Sequence, residues 1–344
     1  MSRRKNVGES GHADQKGLTL VELLIALVLT AIIGGAMYQG LINQSRSYVQ
    51  QDQAAEAQQN CRVAMDDILR ELRMAGYSMA YQTTSGFTSL TTVSDLGIVL
   101  GTSVTTINGT TVQTNNNSSR NYSDALVIRR GDAVPWSVWK YQYKENVHGE
   151  RSKVMYDEKV TVRFGDPDYV FMLDVDKKEY RIARVREQGM DDVYTTKKMI
   201  RIEDYTGSVA STNGLTANYE GGTCVKFKEI AFYVDTSGSF PRLMKAVNGG
   251  ASQVVANYIE DLQVAFQTSN GSWYYNVGGT GDPTINDIRN VRVNIVARSR
   301  VAGAKAIYYE AALEDGRRHP TSGTDGFPRR VMTSQIRARN FGVD

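Results

Sequence analysis

The chain has 344 residues, with 40 Lys plus Arg against 37 Asp plus Glu, 41% hydrophobic and 22% charged residues, and only 3 His and 2 Cys. These proportions are those of an ordinary globular protein; they exclude a disordered chain, a collagen-like repeat and a disulfide scaffold. Three histidines and two cysteines, none close together, leave little for a zinc site or a base-supported nucleophile. The composition therefore speaks against an enzyme and implies neither metal nor cofactor.

The average conceals one segment. Leu18 to Ile42 is a run of 25 residues whose only charge is Glu22. A helix of that length rises about 37 Å, enough to cross a hydrocarbon core of about 30 Å, and predicts one membrane span. Before it lies a polar leader, Met1 to Gly17, carrying Arg3, Arg4, Lys5 and Lys16 against Glu9 and Asp14. The positive-inside bias keeps this leader cytoplasmic and sends the rest of the chain outward. Removing the leader's four basic and two acidic residues from the totals leaves 36 basic against 35 acidic residues. The pI of 8.6 is therefore no argument for a nucleic-acid partner.

A secretory signal loses its apolar stretch on cleavage. Here the small residue Gly17 precedes the apolar run, so a cut after it would retain the membrane helix. The heptapeptide Lys16-Gly17-Leu18-Thr19-Leu20-Val21-Glu22 resembles the prepilin signal of type IV pilins and type II secretion pseudopilins. That signal has Gly at the last leader position, a hydrophobic first mature residue and Glu as the fifth. The resemblance implies cleavage between Gly17 and Leu18 by a prepilin peptidase on the cytoplasmic side, with methylation of the new amine. Leu18 stands where the family usually has Phe.

Glu22 also has a physical reading. A carboxylate inside an apolar helix costs roughly 2.5–3.5 kcal/mol on insertion scales and needs a partner. After cleavage the amine of Leu18 lies four residues earlier, about 6 Å along the axis. A neighbouring subunit displaced by that step would bring its own amine to Glu22, which makes Glu22 a candidate assembly register. The alternative is a Glu held by its own amine or by the helix N-terminus.

The helix is predicted to continue from Asn43 to Met79, which holds no proline. Val63, Ile68, Leu69 and Leu72, with Ala64 and Ala75, mark an apolar face, and Gly76 fits a C-terminal stop. Gly34, Gly35 and Gly40 read equally well as a flexible point or as sites of close helix packing. Within this segment, Asn60 to Met65 and Leu72 to Tyr77 resemble the pattern that follows the anchor in minor pilins of the PilW type. Ile259 to Val264, Ile288 to Val293, Arg329 to Val331 and Arg337 to Asn340 extend the resemblance at the other end of the chain.

From residue 80 onward a β-rich head is expected. Thr102 to Ser123 holds 16 Ser, Thr, Asn or Gly residues among 22 and reads as a surface loop. Strand-like runs follow at Ala125–Arg129, Val138–Tyr143, Val160–Phe164, Tyr169–Leu173, Tyr180–Val185, Lys226–Val234, Gln263–Gln267 and Val291–Ala297. The predicted fold class is α+β, a long N-terminal helix packed on a large antiparallel β-rich head of the pilin kind. Trp139, Tyr141 and Tyr143 alternate along one run and read as core or sheet cover, in preference to a sugar-stacking platform.

Asp166, Asp168, Asp174, Asp176 and Glu179 match no calcium loop and fit solvated hairpin tips. The Arg298/Arg300, Arg317/Arg318 and Arg329/Arg330/Arg337/Arg339 sets read as a solvated face or ion pairs, and His148 and His319 as isolated polar residues. Cys61 and Cys224 would both face an oxidising compartment and are expected to pair, tying helix to sheet; a buried unpaired Cys61 is the alternative. Closing a loop of about 160 residues would contribute roughly 5 kcal/mol in the chain-entropy model.

The resemblance implies a minor pilin that initiates, caps or assembles type IV pili. Its partners would be other minor pilins, the major pilin, prepilin peptidase and the inner-membrane assembly machinery. It would sit in the inner membrane with its head periplasmic and then in the pilus. A J-type pseudopilin of type II secretion is the rival within the class, and a tethered adhesin or DNA-uptake receptor the rival outside it. A head of some 265 residues has a radius of gyration of about 18 Å, too wide for every filament position, which points to the tip.

Overall fold

In the computed structural model one unbroken helix, α1, runs from Leu20 to Met74. The structure describes residues 19–77, 98–100, 105–107, 110–112, 123–132, 134–143, 151–165, 168–174, 179–190, 193–194, 196–204, 219–248, 250–275, 283, 287–302 and 326–337. The chain divides into two units, residues 1–52 and 53–344.

In the first unit every described side chain from Leu20 to Leu41 is exposed, and α1 is the one described helix long and apolar enough to cross a membrane. Apolar surface on this scale demands lipid or a protein partner. The helix passes through Gly34, Gly35 and Gly40 without a break, and a Cβ at any of them would meet nothing within 4 Å.

In the second unit the rest of α1 lies on the head. Ala57, Cys61, Ala64, Met65, Ile68, Leu72 and Ala75 form its buried stripe, the spacing of a 3.6-residue period. Val63, expected on that stripe, is 47% exposed. It lies about 100° of helical rotation from Ala64, and the buried face is set by Cys61 and Met65 instead. The helix ends at Met74, and Gly76 adopts φ 70°. That left-handed residue turns the chain so that Gly76 N donates to Arg129 O at 2.8 Å and Gly131 N to Tyr77 O at 2.7 Å.

The strands in chain order are β1 (Ile98–Leu100), β2 (Thr105–Ile107), β3 (Thr110–Val112), β4 (Leu126–Gly131), β5 (Trp136–Ser137), β6 (Lys140–Gln142), β7 (Ser152–Asp157), β8 (Asp168–Asp174) and β9 (Glu179–Met190). There follow β10 (Lys197–Asp204), β11 (Thr223–Asp235), β12 (Arg242–Val247), β13 (Gln253–Asn257), β14 (Ile259–Thr268), β15 (Trp273–Tyr274), β16 (Ile288–Arg298) and β17 (Arg329–Arg337). Every pairing is antiparallel. The observed class is thus α+β, a long apolar helix followed by a large antiparallel β-rich head.

An 11-stranded sheet is ordered β1-β4-β11-β8-β9-β10-β7-β6, with β12 and β5 also on β11 and β13 on β12. A second sheet is ordered β15-β14-β16-β17. Strand β11 divides the head. Its C-terminal half pairs with β4 and β12 in the core that receives α1, where Leu126, Ile128, Phe232, Val264, Phe266 and Ile295 meet the helix stripe. Its N-terminal half pairs with β5 and β8 and opens a second core around Trp136, Tyr141, Tyr156, Val170, Ile200 and Tyr219.

Three sequence expectations change here. The tract 102–123 contains the β2–β3 hairpin, with Ile107 opposite Thr110; Asn108-Gly109 between β-branched triplets is the turn signal for it. Val160–Phe164 is not a strand. The Gln188 side chain replaces a ladder there, its Nε2 donating to Val162 O at 2.8 Å and its Oε1 accepting from Phe164 N at 3.0 Å. The Val138–Tyr143 run is split, because Val138 N donates to Gly222 O at 2.8 Å while Trp139 N donates to Met155 O at 2.9 Å, carrying the chain from β11 to β7. Tyr141 is consequently buried, whereas Trp139 and Tyr143 are 42% and 44% exposed. Trp139 covers the sheet with Tyr194, edge to face at 4.9 Å.

Candidate functional site

The described start of the helix is held by two residues, Thr19 and Glu22. Thr19 precedes the first helical residue, and its hydroxyl accepts from Glu22 N at 3.3 Å. In return Glu22 Oε2 accepts from Thr19 N and Thr19 Oγ1, both at 2.9 Å. This is a capping box: each side chain satisfies a backbone N–H that has no partner inside the helix. The Thr-x-x-Glu spacing was present in the sequence, and it adds Thr19 to the site. Glu22 is exposed along with the apolar residues around it. Gly17 and Leu18 lie outside the described residues.

A second cluster fastens the helix to the head. Glu71, 6% exposed on α1, accepts from Lys245 Nζ of β12 at 3.0 Å through Oε1 and from Arg130 Nε of β4 at 3.1 Å through Oε2. Lys245 also donates to both oxygens of Asp67, at 3.0 and 3.1 Å. Burial by itself would raise the Glu71 pKa; the Lys245 hydrogen bond and the charges of Lys245 and Arg130 outweigh it and hold the carboxyl below its ordinary value. No local pattern announces this cluster, since its members come from three elements far apart in sequence.

The expected bridge between Cys61 and Cys224 is not formed: both are buried free thiols. They belong to different cores, Cys61 to the one beneath α1 and Cys224 to the one around Trp136 and Tyr156. Strand β11 runs through both cores and holds Cys224 in its N-terminal half, away from the half that meets the helix. Burial pushes the Cys61 thiol up to about 11 and raises that of Cys224 as well.

The remaining charged sets are engaged in structure. Asp168 accepts from Lys226 Nζ at 2.7 Å, and Asp174 and Glu179 are backbone register partners at the end of the β8–β9 ladder. Arg329 makes two hydrogen bonds to Glu260, at 2.7 and 3.0 Å, and the Arg298 guanidinium lies 4.4 Å from the Phe327 ring centroid. Asp166, Asp176, His148, His319, Arg317, Arg318 and Arg339 lie outside the described residues.

No curated protein matches the chain. Among solved structures, a type IV-like pilin from Thermus thermophilus is similar at 12% identity over 52% of this chain and 86% of that one. Its TM-score of 0.24 is too low to equate the two folds. The family model described as the prokaryotic N-terminal methylation motif matches residues 12–38, a stretch that includes Gly17, Leu18, Thr19 and Glu22. The N-terminal segment of this chain, from the end of the leader into the apolar half of α1, therefore carries a prokaryotic N-terminal methylation motif.

Proposed function

We propose that this chain is a minor pilin of the PilW type, cut after Gly17, anchored by Leu18–Ile42 and assembled into a type IV pilus. The observation that carries this reading is the methylation motif over residues 12–38, continuous with a helix whose side chains from Leu20 to Leu41 are all exposed while its distal half serves as part of the head's core. A tether alone needs no carboxylate in its apolar run; Glu22 has a use where subunits stack.

In the free chain Thr19 holds Glu22. In a filament the amine of a neighbouring Leu18 takes over part of that role and sets the axial step. The protein acts by binding: other pilins through the helix, prepilin peptidase through the leader. The broad head has room where no subunit lies above it, which favours the tip or an initiating complex.

N-terminal mass spectrometry of the membrane-extracted protein tests the processing step. The expected product begins at Leu18, and Gly17→Ala abolishes it. Immunogold labelling of sheared pili tests the position: the expected label lies at filament ends at very low stoichiometry, and dense label along the whole length refutes it. Recovery in a secretion pseudopilus and absence from pili would instead select the J-type pseudopilin.

A further inference from the structure

The four-stranded sheet ends on one side at β17, which pairs with β16 along its whole length. The bond from Ser299 N to Pro328 O at 2.8 Å sets the phase of that ladder. Opposite residues in an antiparallel pair alternate between bonded and unbonded, so Arg330, Met332, Ser334 and Ile336 direct their backbone groups at β16. Val331, Thr333 and Gln335 therefore turn N–H and C=O outward, where no strand receives them among the described residues.

This edge is held from one face and reachable from the other. Met332 and Ile336 pack against the first core, while Thr333, Gln335 and Arg337 are exposed. An open edge is a template for a further strand, and charge ordinarily guards it. Here the charge has one sign: residues 287–300 and 329–337 hold seven arginines against one acid, Asp287. Of the acids on β14, Glu260 offsets Arg329 and Asp261 is buried with Gln263. Arg292 and Arg298 lie over the rings of Trp273 and Phe327. Arg330 and Arg337, at the two ends of the uncharged run Val331–Ile336, form no ion pair among the described residues.

A second copy fits this edge poorly, because full antiparallel overlap centred on Thr333 sets Arg337 of each chain opposite Arg329 and beside Arg330 of the other. A nucleic acid would meet the arginines and leave the backbone groups unpaired. An extended acidic peptide satisfies both, adding a strand through its main chain and ion pairs at its ends. We propose that the outer edge of β17 captures an extended segment of another protein, which bonds Val331, Thr333 and Gln335 through its backbone and Arg330 and Arg337 through acidic residues.

The test is anisotropy titration of the full chain in detergent against three labelled heptapeptides: Glu-Thr-Val-Thr-Val-Thr-Glu, the same peptide with Lys at both ends, and the acidic peptide with Pro at its centre. The acidic peptide should bind at least about tenfold more tightly than either relative and slow amide exchange at Val331, Thr333 and Gln335. Gln335→Pro removes an outward N–H without touching the ladder to β16, so it should weaken binding by a similar factor with the melting transition retained. Arg337→Glu should erase the preference for acidic ends. No binding of the acidic peptide at millimolar concentration overturns the proposal, as does equal binding of all three peptides or unchanged binding in both variants. Protection of those amides in the chain alone as its concentration rises would assign the edge to a second copy. An oligothymidine that displaces the peptide and protects none of them would assign the arginines to nucleic acid, and either result refutes the capture of a peptide strand.

Discussion

Lys245 Nζ donates to Glu71 Oε1 at 3.0 Å across a separation of 174 residues, joining the edge of the first core to the helix that covers it. The opposite oxygen of Glu71 is held by Arg130, so one carboxylate on α1 gathers cations from two strands. Removing Glu71 leaves Lys245 on Asp67 and Arg130 on Asp132, so the loss is that of charge-assisted hydrogen bonds in a buried site, about 2–3 kcal/mol. Glu71→Ala is therefore expected to lower the stability of the head by about that amount in denaturant unfolding followed by near-UV circular dichroism. Arg70, 69% exposed and paired with Asp67, should cost under about 1 kcal/mol when replaced by Ala. Equal losses from the two variants would show that burial does not set the strength of this network.

The same carboxylate predicts a pH dependence. Its folded pKa is depressed, so its contribution is present above the ordinary Glu value and is lost as pH falls through the lower folded value. Asp235 adds in the same direction, its carboxyl held down by the Ser237 hydroxyl and amide and by Arg242. The denaturation midpoint should be flat from pH 7 to about 5 and decline below about 4. In Glu71→Gln the decline should be shallower, and a parallel decline would remove Glu71 from the account.

The cysteines should behave as protected thiols. With the Cys61 thiol pushed up to about 11 and both residues buried, little thiolate forms at pH 7 and alkylating reagents have no access. Labelling without reductant should find no reactive thiol in the folded chain and two after unfolding. Recovery of a Cys61–Cys224 peptide under non-reducing digestion would reverse the assignment.

Gly76 ends the helix at φ 70°, where a Cβ is strained by about 1–2 kcal/mol. Gly76→Ala should lower stability by that range and speed amide exchange at Gly131, whose N donates to Tyr77 O just beyond the turn. A neutral substitution would mean that the turn relaxes without loss.

Thr19→Ala removes the one hydroxyl that both accepts from Glu22 N and donates to Glu22 Oε2. The first turn of α1 should fray, seen as faster amide exchange from Leu20 to Leu23 in detergent, while the head's melting transition stays unchanged. If exchange at these amides stays slow in the variant, the capping box is not what secures the helix start.

Much of the architecture was legible in the sequence because it rests on local rules. The apolar run, the helix stop at Gly76 and the strand runs that became β4, β8, β9, β11, β14 and β16 are properties of neighbouring residues; β7, β10, β12, β13 and β17 were not read from the sequence. Thr19 was equally legible through its spacing to Glu22, as was the β2–β3 hairpin through Asn108-Gly109. What the sequence could not determine was decided by residues brought together from afar. Val63 faces solvent because the sheet receives the Cys61–Met65 side of the helix. Trp139 and Tyr141 part company because Trp139 sits at the bend where the chain leaves Gly222 for β7, ahead of the regular β6–β7 pairing that begins at Lys140 and holds Tyr141. Cys61 and Cys224 stay apart because β11 serves two cores, and no spacing along the chain encodes which half of a strand meets the helix. Glu71 finds Lys245 and Arg130 for the same reason: a buried charge is tolerable only where tertiary packing delivers its counter-charges, and that is a property of the folded chain alone.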